Sequence, residues 1–348
     1  MGTRTSLAVA GMLLSVGPAA AQTPAAGSPS TPSVTIGGVF YGQYQYFLRD
    51  NAGERYQNNL DVTRVYLTAT ARLAKGVGGR FTLENFRPTP TSGHEVRIKY
   101  GYAQLSPEGS ALSFKLGQLQ TPFIDHEEAL WDYRAQGSVM MDRAGYLASA
   151  DLGVTVDGSW DDNLITMSAG LFDGETYRVA PGDHHKDVAA RLTVRLLPSD
   201  DAGRYGGLRL TGFGLLGEPD SGGTRQRWLG QVSYRSRAAL LAGEFAVTRD
   251  RIGDAPLVPT TKGQAGSVFG WLRFGPAPWA VLARVDWVDP DTEIDRNGLT
   301  RYIAGVSYRV SPNLRLILDL DHLEYRGTPT ATQDAARSQA LFQVDLVF

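Results

Sequence analysis

The chain has no cysteine, which excludes a disulfide scaffold, thiolate metal sites and a cysteine nucleophile. Only five histidines are present, so metal ligands are scarce. Charge of one sign is lacking too. The 34 Lys and Arg nearly balance the 36 Asp and Glu, too even for a protein that gathers nucleic acid by bulk charge. No apolar run reaches the roughly eighteen residues of a membrane helix. A membrane is not excluded by this, because a barrel spans with alternating strands of about ten residues that hydropathy averages conceal. With 42% hydrophobic residues, an unfolded chain is not expected.

The first 21 residues have the pattern of a secretory signal. Arg4 supplies the charge, Leu7 to Val16 a short apolar core, and Ala19, Ala20 and Ala21 a cleavage site before Gln22. Residues 22–33 are small and Pro/Ser/Thr-rich, a flexible leader. A secreted chain without cysteine fits a bacterial envelope.

From Val34 onward the period is two. Val65, Leu67, Ala69, Ala71 and Leu73 oppose Arg64, Tyr66, Thr68, Thr70 and Arg72. Val188, Ala190, Leu192 and Val194 oppose Arg191, Thr193 and Arg195. Leu314, Leu316, Leu318 and Leu320 oppose Arg315, Asp319 and Asp321. This is strand alternation. Sixteen such segments lie near 34–48, 60–73, 79–87, 95–105, 111–119, 150–160, 163–172, 187–197, 206–216, 226–235, 238–248, 265–274, 279–288, 300–310, 313–325 and 337–348.

The connections alternate in length. Long ones are expected at 49–59, 88–94, 120–149, 173–186, 217–225, 249–264, 289–299 and 326–336, with short ones between, among them Pro198–Tyr205. A meander closed into a membrane barrel has this asymmetry, with short periplasmic turns and longer outer loops. A soluble β-sandwich or barrel would alternate without sorting its loops by length. The last segment places Phe342, Val344, Leu346 and Phe348 on one face, a further lipid-facing strand resembling the terminal signature read by the barrel assembly machinery.

In a barrel of this kind the polar face meets water. The basic lumen positions are Arg64, Arg72, Arg80, Arg97, Lys99, Lys115, Arg191 and Arg195, then Arg209, Arg227, Arg235, Arg273, Arg284, Arg301, Arg309 and Arg315. The acidic ones are half as many: Glu84, Asp151, Asp157, Glu244, Asp286, Asp319, Asp321 and Asp345. Low-dielectric walls focus such an excess, and Arg offers forked donors to oxyanions. An anion-preferring lumen follows; the competing reading is an Arg wall neutralised by its own carboxylates.

The longest connection, 120–149, is too long for a hairpin. Leu130, Trp131, Met140 and Met141 argue that it packs, folding inward to narrow the lumen. It carries Asp125, Glu127, Glu128, Asp132 and Asp142 against Arg134 and Arg143, a charge opposing that of the wall.

Catalytic signals are weak. His94, His126, His184, His185 and His322 are scattered, and adjacent residues of a strand face opposite ways. Asp125-His126-Glu127-Glu128 has no marked nucleophile nearby. The glycines of GLRLTGFG at 207–214 lack the strand-then-helix context of a nucleotide loop. No catalytic residue, metal, cofactor or nucleic acid is assigned.

GQLQTPF at 117–123, the acids Glu127 and Glu128, MDR at 141–143 and ADLGVTVDGSW at 150–160 resemble the phosphate-selective porin O and P family. Ala150 stands where that family pattern has Arg. The resemblance implies a sixteen-stranded, trimeric outer-membrane porin whose third loop constricts the pore. It does not carry phosphate specificity over, because lysine is sparse and the third loop acidic.

The expected molecule is therefore all-β: a sixteen-stranded antiparallel transmembrane β-barrel over 34–348, in contact with outer-membrane lipid, homotrimeric, passing small hydrophilic solutes and ions with a preference for anions. An outer-membrane barrel enzyme and a plugged structural or adhesive barrel are the alternatives.

Overall fold

The computed structural model describes residues 31–48, 58–88, 92–180, 182, 184–219, 221–253, 255 and 258–348. The expected signal, and all of the leader except 31–33, lie outside the described residues.

Sixteen strands follow one another: β1 Ser33–Phe47, β2 Asn58–Ala74, β3 Val77–Phe86, β4 Glu95–Leu105, β5 Leu112–Gln120, β6 Ala150–Trp160, β7 Ile165–Phe172, β8 Asp187–Leu197, β9 Gly207–Gly217, β10 Gly223–Arg235, β11 Ala239–Ile252, β12 Thr261–Arg273, β13 Trp279–Asp289, β14 Leu299–Ser311, β15 Leu314–Tyr325 and β16 Ser338–Val347. Each pairs antiparallel with its sequence neighbour, and β1 pairs with β16 to close the barrel. Closure satisfies every strand edge, which a sheet in hydrocarbon requires.

Alternation sets the two faces. Leu192, Leu210, Val232, Leu241, Val268, Leu318 and Phe342 point outward and are exposed. Arg191, Arg209, Ser233, Ser267, Asp319 and Gln343 are buried on the inner face. At the seam, Gly38 N–H donates to the Phe348 carbonyl (2.8 Å) and Phe348 N–H donates back to Gly38 (3.1 Å). A Cβ on Gly38 would fall 2.2 Å from the Tyr66 carbonyl and 2.6 Å from the Phe348 ring, so the seam needs glycine there.

Five register shifts break the period, and one matters for the lumen. In β3–β4, Thr82 faces Tyr100 but Leu83 faces Ile98, so Lys99 is the extra residue of a bulge. Lys99 and Tyr100 are consequently both buried inward. Gln118 donates to the Ile98 and Lys99 carbonyls that the bulge leaves unpaired (2.6 and 3.0 Å).

The strand segments match expectation within a few residues, but two connections do not. The link between β9 and β10 spans only 218–222, because β10 begins three residues earlier than alternation placed it. The link between β8 and β9 spans 198–206 and is the longest at its end of the barrel. Side-chain hydrogen bonds explain its size: Ser199 Oγ donates to the Arg235 carbonyl (2.7 Å) and accepts from Gly207 N–H (2.9 Å). Three short α-helices, α1 Ile124–Trp131, α2 Met140–Arg143 and α3 Ala331–Ala336, and a single 3-10 turn at Arg134–Gln136 lie in the connections.

Candidate functional site

The third loop, 121–149, lies inside the barrel. Glu127, Glu128, Ala129 and Leu130 are good helix formers, and Asp125 and Glu127 complement the helix dipole in the first turn of α1. The helix ends where Asp132 adopts a left-handed conformation, φ 63°. Ile124, Leu130, Trp131, Val139, Met140 and Met141 are fully buried or nearly so. They belong to one apolar cluster with Phe213, Leu240, Phe269, Trp271 and Leu282 of the inner wall. Trp131 meets Phe269 edge-on at 5.5 Å, and Phe123 meets Phe213 at 5.3 Å. Each such side chain contributes on the order of 2 kcal/mol.

Polar anchors surround this core. The Tyr133 and Ser307 hydroxyls bond at 2.8 Å. Gln343 Nε2 donates to the Ala135 carbonyl (3.0 Å), and Arg191 Nε donates to the Pro122 carbonyl (2.9 Å). Arg315 binds the Asp132 carbonyl and also lies 2.6 Å from Asp345. The loop therefore leans on β8–β16 and leaves β2–β5 facing it.

The predicted wall residues divide accordingly. Arg191, Arg227 and Arg284 are inward but covered by the loop, with at most 4% exposure. Arg227 holds Asp250 with two hydrogen bonds (2.6 and 2.9 Å) and reaches the Tyr146 carbonyl at 3.2 Å. Arg209 donates to backbone carbonyls of Gly206 and Asn163, and Arg301 grips Asp321 with both arms of its guanidinium. Arg235 pairs with Asp201 at 3.1 Å; Arg273 stacks on Trp271 at 4.3 Å. Arg72 and Arg309 are exposed near the turn end of their strands, and Arg195 lies opposite Arg209 on the neighbouring strand. Much of the basic excess is thus spent on structural pairs.

The remainder forms a ladder on β2–β5. Arg64 lies over Tyr66 (5.2 Å) and Arg80 over Tyr100 (4.8 Å); neither has a carboxylate partner among the described residues. Arg97 lies 2.8 Å from Glu84, and its Nη2 donates to the Tyr177 hydroxyl (3.1 Å). Lys99 donates to the Tyr66 hydroxyl (2.7 Å), 3.6 Å from Glu84, and Lys115 pairs with Asp157 at 3.0 Å. Five cations here share two carboxylates. Aromatic faces are spread between them, and each attracts a cation placed over it.

Opposite stand the loop acids. Glu128 pairs with Arg134 at 2.6 Å, and Arg134 also lies 3.6 Å from Asp142. The Glu128 and Arg97 side chains keep about a fifth of their surface exposed (20% and 22%), so water reaches both sides of the gap. Asp125 is half-buried, and burial raises its carboxyl above the usual range while Lys115 and Arg204 pull it back. Asp132 lies between Arg315 (3.4 Å) and Arg273 (3.5 Å).

Beneath the loop, Glu127 lies 3.4 Å from Arg284, which lies 2.7 Å from Asp286. Burial, with Glu244 alongside, holds the Glu127 carboxyl well above its ordinary range. Burial, with Arg301 and Arg284 near, lowers Arg143 to about 9. Arg143 reaches Gln136 Oε1 (3.4 Å) and fits because residue 137 is glycine, φ 148°, where a Cβ would sit 2.3 Å from its Nη2. Burial, reinforced by Arg191 and Arg204, keeps His126 neutral; its Nε2 meets Gln231 Oε1 at 3.3 Å. No group of three or more metal-ligating side chains occurs among the described residues.

Three residues escaped the sequence reading. Tyr177, from the loop 173–186, covers Arg97 and Lys99. Tyr205, from the turn 198–206, packs on His126 at 5.4 Å, and the neighbouring Arg204 lines a cleft with Asp125. Alternation counts the turn 198–206 among the short connections, so nothing in the sequence pointed to Arg204 or Tyr205.

A family model described as Gram-negative porin matches residues 6–328. Among solved structures, the anion-selective porin from Comamonas acidovorans superposes with a TM-score of 0.68 at 16% identity, covering 91% of this chain and 100% of that one. The outer-membrane channel DcaP of Acinetobacter baumannii gives 0.66 at 12% identity, over 92% and 99%. The trimer form of OmpT, an outer membrane protein of Vibrio cholerae, gives 0.64 at 12% identity, over 92% and 100%. Comparison with curated proteins finds no significant match.

Proposed function

The chain belongs to the Gram-negative porin family and is an outer-membrane channel; from that premise we propose that it passes small hydrophilic solutes passively, with a preference for anions. The observation that carries the preference is the imbalance on β2–β5. Arg64, Arg80, Arg97, Lys99 and Lys115 face the gap with only Glu84 and Asp157 among them. Low-dielectric walls focus that charge on the aqueous path.

The third loop is the constriction in this reading. Glu128 and Asp125 oppose the ladder, but Arg134 neutralises the first and burial weakens the second. The family and fold favour a channel over an enzyme, and no step of covalent chemistry is assigned to any residue. The phosphate-selective subfamily is not adopted: the third loop stays acidic and Ala150 interrupts the motif. A homotrimer, with the exposed outer face against lipid and neighbouring subunits, is part of the same proposal, as are the cleaved signal over residues 1–21 and delivery by the barrel assembly machinery. The trimer form of the Vibrio cholerae protein supports the trimer.

The test is reconstitution in a planar bilayer with a KCl gradient. Conductance steps with an anion-selective reversal potential are expected. A cation-selective potential would make the loop carboxylates dominant and overturn the preference; repeated absence of steps from folded protein would overturn the open channel.

A further inference from the structure

A cleft of about 40 Å³ lies between the third loop and the wall, lined by Lys115, Gln120, Asp125, Asp157, Arg191 and Arg204, with hydroxyl groups of Ser113 and Ser168 beside them. We propose that this cleft is a binding subsite for a small carboxylate or oxyanion, and that Arg204 of the turn 198–206 is its recognition residue. The proposal rests on the channel reading above and deepens it.

Three observations carry it. First, Arg204 makes no hydrogen bond or ion pair among the described residues; the Tyr205 ring lies 6.0 Å from its guanidinium, and Asp125 feels its charge across the cleft without meeting it. A half-buried guanidinium with no acceptor at hydrogen-bond distance is a donor fork open to an oxyanion. Second, Gln120 is 6% exposed, and neither its amide nitrogen nor its oxygen has a partner. A buried unpartnered amide is costly unless something fills the space it faces. Third, the cleft carries three cations against two carboxylates. Asp157 is already engaged by Lys115 at 3.0 Å. Asp125 is the remaining acid, and its burial disfavours its charged form.

Size narrows the class. A water needs roughly 10–15 Å³ by this measure, so the cleft holds the equivalent of a few waters. That suits acetate, formate or nitrate, or the head of a longer carboxylate whose tail stays in the channel. Arg191 shapes the floor rather than binding freely, since its Nε and Nη1 are committed to Pro122, Thr166 and Thr193.

A channel with a binding step saturates as permeant concentration rises. Single-channel conductance would be recorded in potassium acetate over a wide concentration range, for the wild type, Arg204→Gln, Gln120→Ala and a control, Arg237→Gln. Arg237 is an exposed cation on the neighbouring turn, outside the cleft. The wild type is expected to saturate. Arg204→Gln should raise the half-saturating concentration roughly tenfold, the factor one charge-assisted hydrogen bond supplies. Gln120→Ala should raise it less, and Arg237→Gln should leave it in place. A wild-type conductance that climbs linearly would overturn the subsite while leaving the channel intact. Equal shifts in Arg204→Gln and Arg237→Gln would overturn it too, because they would report the general field at that rim. Loss of conductance steps in the wild type would instead strike the channel reading itself.

Discussion

Glu127 and Arg284 meet at 3.4 Å across 157 positions of sequence, and neither side chain has any exposed surface. One belongs to the loop and the other to the wall, so the contact joins the movable part of the lumen to the fixed part. Burial beside the Glu244 carboxyl favours a protonated Glu127 here, while Arg284 is balanced by Asp286.

This gives a pH dependence of definite sign. The docked carboxyl titrates above the free one. Docking is therefore fully stabilised below the ordinary glutamate range, near pH 4.3, and weakens as pH rises toward the docked value, by about 1.4 kcal/mol per pH unit within that window. Open-channel current noise should grow with pH over that range. In Glu127→Gln, which stays neutral, the trend should flatten. Noise rising equally in the variant would place its source elsewhere.

The ladder and the structural arginines should separate by mutation. Replacing Arg64 and Arg80 with Ala removes two cations that have no carboxylate partner, and the chloride-to-potassium permeability ratio should drop several-fold. Replacing Arg227 breaks the pair with Asp250 and should cost about 3 kcal/mol of stability with a smaller change in selectivity. Reversal potentials and thermal unfolding in detergent together decide this.

Glu128→Gln removes a loop charge and leaves Arg134 with Asp142 alone. Anion selectivity should rise, by a factor of about 2 to 5 if the local potential changes on the order of kT. An unchanged reversal potential would mean that the loop face lies off the ion path.

Trp131→Ala empties the centre of the loop's apolar packing. A loss of about 3–5 kcal/mol is expected, confined to the loop because the strand ladder is untouched. Protease nicking within 121–149 should accelerate while the barrel stays folded in detergent.

Gly38→Val should prevent closure, since the added side chain would enter the Tyr66 backbone and the Phe348 ring. The variant should fail to form a folded band on unheated gels.

The strand faces were legible because lipid and water impose opposite demands on alternate residues; Val188 and Leu192 against Arg191 and Thr193 show it directly. The bulge at Lys99 was not, because an inserted residue leaves the composition of the strand unchanged. Nor was the dry half of the lumen. Leu240, Ala242, Phe269, Trp271 and Leu282 point inward at the loop, and an apolar residue in sequence reads alike whether lipid or a packed loop covers it. Which arginines remain unpaired depended on contacts far apart in sequence, such as Asp132 with Arg315, 183 positions on.

The seam between β1 and β16 has a kinetic consequence. Every other strand pair joins sequence neighbours, whose association closes at most the third loop, whereas the seam joins residues such as Gln45 and Gln339, 294 positions apart. The chain thus concentrates its non-local pairing in one event. Hairpins can accumulate early, but until the two outermost edges meet, both present unpaired amides that hydrocarbon does not tolerate. Insertion and closure should therefore be coupled, and an open curved sheet in the bilayer should be short-lived.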